Sequence, residues 1–227
     1  MAYSADTAFE RPTSAILVGT PGALLNWIAF GFASTSRGGY FWTDVRLSGQ
    51  QVDERDPIAR GEIAPARFAV VPPEELSQND APANAALSML VHADDGAGPL
   101  RQLADFIRLS THTRELIASQ PRGESPPLLV LSNAQRVASL YRAESVGPVV
   151  QAIVGSGVSL LVTYADDPPE GRVDFENVWH VRTPDRAPWS EASIEVEKAR
   201  TDGPFAPGSR VGLRTVPRLR ATMARIA

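Results

Sequence analysis

Residues Gly19 to Asn26, GTPGALLN, have the make-up of a loop that could cradle phosphate. A glycine-rich turn between a strand and a helix points several backbone N–H groups at one spot, beside the positive end of the helix dipole. The working pattern, G-x-x-x-x-G-K-[ST], adds a lysine that neutralises the β- and γ-phosphates and a hydroxyl that holds Mg²⁺. Counted from Gly19, this chain has Gly19, Pro21 and Gly22 where a G-x-P-G-x-G-K-T loop has them, with Thr20 and Ala23 at its variable positions. Leu24 then stands for the second motif glycine, Leu25 for the lysine and Asn26 for the hydroxyl. Leucine carries no charge, and its side chain obstructs the close backbone approach that glycine permits. Phosphoryl transfer rests almost wholly on positioning and electrostatic stabilisation, so these replacements remove the means of turnover. The single lysine, Lys198, is not near enough in the chain to substitute. A strand-turn-helix that never bound phosphate accounts for the same residues.

Other residues invite chemistry more weakly. Lys198 and Arg200 alternate, which places both on one face of a strand, either toward an anion or partner subunit or as charges that blunt an edge strand. Asp44 is expected at a strand end, as a remnant base or as a cap or loop carboxylate. Ser132 follows an apolar run but lacks the glycines of G-x-S-x-G. Asp166, Asp167 and Glu170 follow another such run, at the carboxyl edge where open α/β sheets bind ligands, within a D-D-P-P-E-G stretch that reads as a solvated loop. His92, His112 and His180 lack the spacing of a metal-binding helix. No metal site is expected.

The elements that position these residues follow from the apolar pattern. Ala15–Val18, Arg67–Val71, Leu128–Leu131 and Val158–Tyr164 read as buried strands, and Tyr40–Asp44 as an aromatic one. Helices are expected from Ala23, over 81–93, 98–119 and 134–143, and from Pro148 to Val154. Apolar runs separated by helices imply a mostly parallel sheet buried on both faces. Three short strands, 175–181, 192–198 and 209–215, imply an antiparallel extension. The segment 1–13 reads as a lead-in. The tail contains Arg218, Arg220 and Arg225, and RLRATMARIA is compatible with a short basic amphipathic helix that meets an anionic surface or packs on its own domain.

Composition narrows the function classes. With 22 basic and 26 acidic residues the formal charge is −4, which gives no general support for nucleic-acid binding, the basic tail being the one hint. There is no cysteine, so disulfides and thiolate metal sites are excluded. The first residues lack the apolar core of a secretory signal, and the apolar run 23–33 is too short to span a bilayer, so a cytoplasmic location without membrane contact is expected.

Four stretches taken in order carry a resemblance: GTPGALLN, YFWTD, PPLLVLSN, and FENVWHVRT followed by ASIEVEKAR. Over about residues 14–216 the chain resembles the RecA/KaiC-like branch of the phosphate-loop ATPases. That resemblance implies a three-layer α/β domain with a mostly parallel central sheet, flanked by helices and extended by antiparallel strands. It sets Asp44 where the family has a catalytic carboxylate and Ser132 where a metal-binding aspartate belongs. Lys198 and Arg200 take the place of a K-x-R pair that faces a neighbouring subunit's phosphates. With the lysine and the metal-binding aspartate both absent, the implied protein is a pseudo-ATPase, not an enzyme. It would act as a regulatory or assembly module through a protein partner or self-association, with no cofactor required. The alternative is a module that holds ATP, another nucleotide or an anion without hydrolysing it.

Overall fold

A computed structural model describes residues 2–3, 8–47, 53–62, 66–71, 91–92, 126–136, 140, 143–183, 192–215 and 221–225. The helix expected over 98–119 and most of that over 81–93 lie outside these residues.

The sheet is assembled around a strand with apolar side chains on both faces. Strands β1 (Ala2–Tyr3), β2 (Ser14–Gly19), β3 (Tyr40–Leu47), β4 (Ala66–Val71), β5 (Val91–His92), β6 (Leu128–Ser132) and β7 (Ser159–Tyr164) are followed by β8 (Asn177–Arg182), β9 (Ser193–Lys198), β10 (Arg210–Thr215) and β11 (Ala221–Arg225). Helix α1 spans Gly22–Thr35 and α2 spans Ala143–Gly155. The spatial order is β1-β11-β10-β9-β8-β2-β7-β6-β3-β4-β5. From β8 to β5 every pairing is parallel, and from β8 to β1 every pairing is antiparallel. The fold is therefore α/β with a mostly parallel sheet and an antiparallel end, as the unbroken apolar runs imply.

Alternate residues of the central strands feed two separate cores. Ala15 and Leu17 of β2 pack with Leu24, Leu25, Ile28 and Phe32 of α1. Ile16 and Val18 pack with Val146, Val150 and Ile153 of α2. The period of two along a strand thus divides one apolar run between two helices. On the α1 side an aromatic group holds the antiparallel end: Trp179 stacks on Phe32 at 5.5 Å and meets Phe205 edge-on at 5.4 Å.

Several local expectations need correction. The tail is not helical at 221–225, which form β11, pairing with β10 on one side and with Ala2–Tyr3 on the other. An open sheet edge offers ladder hydrogen bonds that a helix of so few residues cannot match. Val91–His92 are likewise in strand rather than helix. Of the helix expected over 134–143, Ala134–Arg136 form a 3₁₀ turn and residues 137–139 and 141–142 lie outside the described residues, while α2 begins at Ala143 and carries Pro148 within it. Gly147 is close to Asp174, whose Oδ1 lies 3.0 Å from where a Cβ would stand. Strand β3 continues past Asp44 to Leu47 because β4 pairs with Thr43–Leu47. Asp44 is therefore in mid-strand, neither at a strand end nor in a loop. Separately, Phe9, ahead of β2, is 1% exposed and meets Phe32 edge-on at 5.7 Å.

If Phe9 is core, Phe9→Ala should destabilise the chain by about 3–5 kcal/mol, the range for truncating a buried phenylalanine. Urea unfolding followed by circular dichroism measures it, and an unchanged midpoint would remove this residue from the core.

Candidate functional site

The turn after β2 is shaped by its neighbours. Gly19 has φ +142°, and a Cβ there would lie 2.5 Å from the carbonyl oxygen of Val181, so only glycine lets β8 pass so close. The Thr20–Pro21 peptide is cis, and the Thr20 carbonyl accepts a hydrogen bond from Thr183 Oγ1 at 3.0 Å. Pro21 precedes α1 without a side-chain cap, and its carbonyl accepts the N–H groups of Leu24 at 3.0 Å and Leu25 at 3.4 Å. A Cβ on Gly22 would sit 3.0 Å from the Ala165 Cβ in the loop that follows β7. Ala23, Leu24 and Leu25 are all buried, and the two leucines belong to the core on the α1 side. The position that would carry the phosphate lysine thus points into the fold.

Asn26, where a metal-binding hydroxyl would be, is fully buried and spanned by hydrogen bonds. Its Nδ2 donates to Asp56 Oδ2 at 2.6 Å, and its Oδ1 accepts from Thr163 Oγ1 at 2.8 Å. Thr163 Oγ1 in turn accepts the backbone N–H of Asn133 at 3.0 Å, and Asp56 Oδ1 accepts that of Ile58 at 2.9 Å. One helix residue is thereby fastened to the turn after β6, to β7 and to the segment 53–62. The indole N–H of Trp27 reinforces the last link by donating to the Arg55 carbonyl at 2.6 Å. Neither the apolar pattern nor the motifs single out Asp56. The available signal was Asn26 itself, a polar residue inside an apolar run, which requires a buried partner without saying which.

The remaining candidate residues are engaged separately. Ser132 is fully buried, and its Oγ accepts the Trp42 indole N–H at 3.0 Å. Asp44 is in register with Ser132 across β3 and β6, so the two candidate positions are neighbours in the sheet. Lys198 ends β9 and donates through Nζ to the Val173 carbonyl at 2.6 Å. Arg200 lies beyond the strand, with its side chain 7% exposed and Nε 2.8 Å from Asp202 Oδ1. The two basic residues thus do not form one outward-facing pair.

At the carboxyl edge of β2, β7 and β8 there is an open cleft of about 770 Å³, bordered by Gly19, Thr20, Asp166, Asp167, His180 and Arg182. Asp166, Asp167 and Glu170 are exposed, in keeping with a solvated loop. The basic groups of the cleft are paired with β9: His180 Nε2 is 2.5 Å from Glu197 Oε2, and Arg182 Nε is 3.2 Å from Glu195 Oε2. Arg172 Nε also donates to Glu197, at 3.2 Å. Partial burial pushes the Glu197 carboxyl up, but the hydrogen bonds from His180 and Arg172 outweigh it and hold this group below its usual range. With its basic groups paired and two carboxylates on its rim, the cleft has little positive potential to offer a polyphosphate. Among the described residues no group of three or more acidic or histidine side chains could hold a metal ion, and no helix is long and apolar enough to cross a membrane.

No protein-family model matches this chain, and no curated protein matches it.

Two measurements probe this geometry. Asp56→Ala leaves the Asn26 amide and the Ile58 N–H without their acceptor, so stability should fall by about 1–3 kcal/mol in chemical denaturation, the cost of a buried group left unsatisfied. An unchanged midpoint would show that the bond carries no net stability. For Glu197, whose folded pKa is depressed, the stabilisation is present above the unfolded carboxyl value near 4.5 and is lost as pH falls through the lower folded value. Thermal melts below that value should therefore show a steeper acid loss in the wild type than in Glu197→Gln, and identical acid limbs would refute the pairing. The contrast should be small, because a partly exposed pair is screened by solvent.

Proposed function

We propose that this chain is a three-layer RecA/KaiC-like domain that does not turn over nucleotide and serves as a regulatory or assembly module through protein contacts in the cytoplasm. One observation carries the reading: the side chains at the positions that would handle phosphate and metal are committed inward. Leu24 and Leu25 are in the core, Asn26 is bonded to Asp56 and Thr163, and Ser132 accepts the Trp42 indole N–H. The order of elements supports the family part of the proposal, since the candidate loop follows a central parallel strand and Ser132 ends another two places away in the sheet. With the chemical groups replaced, the remaining capacity of such a domain is its surface, which is why partner proteins or self-association are the proposed mode of action.

A second reading is a module that holds a nucleotide or another anion without hydrolysis. It rests on the start of α1, where no side chain caps the first turn, and on the cleft beside Gly19 and Thr20. A helix N-terminus attracts anions, but Asp56 already places a buried carboxylate beside this helix, through Asn26.

Purified protein with ATP and Mg²⁺ should release phosphate no faster than buffer, and robust release abolished by altering Gly22 would end the first reading. Leu25→Lys should create no turnover and should destabilise the fold by several kcal/mol, because it buries an unpaired ammonium. Nucleotide titrations monitored by thermal shift separate the two readings: a ligand at 100 times its Kd stabilises by about 2.7 kcal/mol. No shift with any nucleotide removes the nucleotide form of the second reading. Light scattering across a concentration range then tells self-association from contacts with other proteins.

A further inference from the structure

The cleft at the carboxyl edge contains a histidine whose two ring nitrogens have different surroundings. Val18 of β2 is in register with Tyr164 of β7 on one side and with His180 of β8 on the other, near the carboxyl end of all three strands. The His180 side chain is 13% exposed and borders the cleft beside Gly19, Thr20 and the loop that follows β7. Its Nε2 meets Glu197 Oε2 at 2.5 Å. Its Nδ1 has no hydrogen-bond partner and is not sealed from solvent.

Glu197 decides which nitrogen carries the proton. Partial burial pushes its carboxyl up, but the bonds from His180 and Arg172 outweigh this and hold it below its usual range, so it is ionised at neutral pH. An ionised carboxylate only accepts, and Nε2 must therefore be the donor. The lone pair of the neutral ring is then on Nδ1, the nitrogen with solvent access. The charges nearby are balanced in pairs. Arg172, in the 3₁₀ turn Glu170–Asp174, shares Glu197 with His180, and Arg182 of β8 pairs with Glu195 of β9. Arg210 of β10 donates to Ser193 Oγ, and Lys198 to the Val173 carbonyl. Asp166 and Asp167, on the rim, are exposed and take part in no ion pair among the described residues. Besides these, Glu170 and Asp174 belong to the turn, Tyr164 is the titratable group of β7, and β2 has none. A proton added to His180 is thus one positive charge beyond those already paired.

We propose that His180 is a proton switch for this cleft: Glu197 fixes Nε2 as a donor in both charge states, so protonation changes Nδ1 alone, from hydrogen-bond acceptor to cationic donor. Histidine is the side chain suited to this, because its charge changes near physiological pH and the bond at one nitrogen sets the role of the other. A free ring exchanges tautomers and blurs the change, whereas a pinned one delivers it at a single atom. The neutral cleft presents an acceptor together with two rim carboxylates. The protonated cleft presents a donor and carries one negative charge fewer. Such a local charge change is the usual working part of a pH sensor. The proposal does not depend on the fate of the degenerate phosphate loop.

The test is long-range proton–nitrogen NMR of the full chain labelled with ¹⁵N, from about pH 8 to about pH 5.5, within the range over which histidines change charge. At the alkaline end His180 should show the Nε2–H tautomer without a detectable Nδ1–H form, and its Nε2 proton should exchange slowly with solvent. On acidification the large nitrogen shift should fall on Nδ1 while Nε2 stays nearly still. Backbone N–H signals of Thr20, Asp166 and Asp167 should move with the same midpoint and lose that step in His180→Gln. Glu197→Ala should abolish the slow exchange and admit the second tautomer. An Nδ1–H tautomer in the wild type, a ring unaffected by Glu197→Ala, or cleft signals that ignore the ring's titration would each overturn the proposal. Should His180→Gln fail to fold by circular dichroism, the wild-type tautomer and the agreement of midpoints across the cleft still decide it.

Discussion

A carboxylate and an amide withdrawn from water must find each other, and in this fold that requirement joins four parts of the chain. Asn26 bonds Asp56 in the segment after β3 and Thr163 in β7, and Thr163 receives the N–H of Asn133 beyond β6. Leaving any buried member unpaired would be destabilising by about 1–3 kcal/mol, more for the carboxylate, so each bond makes its neighbours necessary. The start of α1 is therefore a structural junction. The segment 53–62 is drawn onto the helix by the same bonds, and Ile58 packs against the core beside it.

That junction explains which parts of the fold were legible beforehand. Apolar runs such as 15–18, 128–131 and 159–164 announce strands buried on both faces because only a parallel sheet covered by helices uses them in full. What the pattern does not contain is the identity of distant partners. Asn26 stands out as a polar residue in an apolar helix, but nothing local in D-E-R-D-P points to Asp56 as the group that satisfies it. The candidate site was legible as a turn between strand and helix, and illegible as a set of bonds. Ser132 shows the same limit, since its partner Trp42 is ninety residues away.

The misread segments share a physical cause. Residues 221–225 and 91–92 are short, and short segments take their conformation from whatever edge they meet rather than from their own propensity. The tail's arginines suggested a helix face, yet β10 offers an unpaired row of N–H and C=O groups that Ala221–Arg225 fills. Phe9 illustrates the converse. A single aromatic in a polar lead-in carries little pattern, but its burial against Phe32 and Trp179 ties the chain before β2 to the core. Pro148 suggested a helix start, whereas α2 tolerates it in its second turn after an initial segment from Ala143.

The glycines of the loop call for a different weighting from the residues that follow them. Gly19 is required because the Val181 carbonyl oxygen would lie 2.5 Å from any Cβ there, and at Gly22 a Cβ would meet the Ala165 Cβ at a tight 3.0 Å. Packing therefore demands the first and favours the second, with or without phosphate, and their match to a phosphate-loop pattern carries less functional information than its conspicuousness suggests. Positions 24, 25 and 26 carry more, because a functioning loop needs them for chemistry and this fold uses them for packing and for the junction. A side chain held in the core cannot also reach a ligand at the sheet edge. A lysine at 25 would strand a charge in the core, and a hydroxyl residue at 26 would lack the amide that Asp56 and Thr163 both use. The inward commitment of these three positions therefore weighs more heavily in the proposed reading than the glycines do.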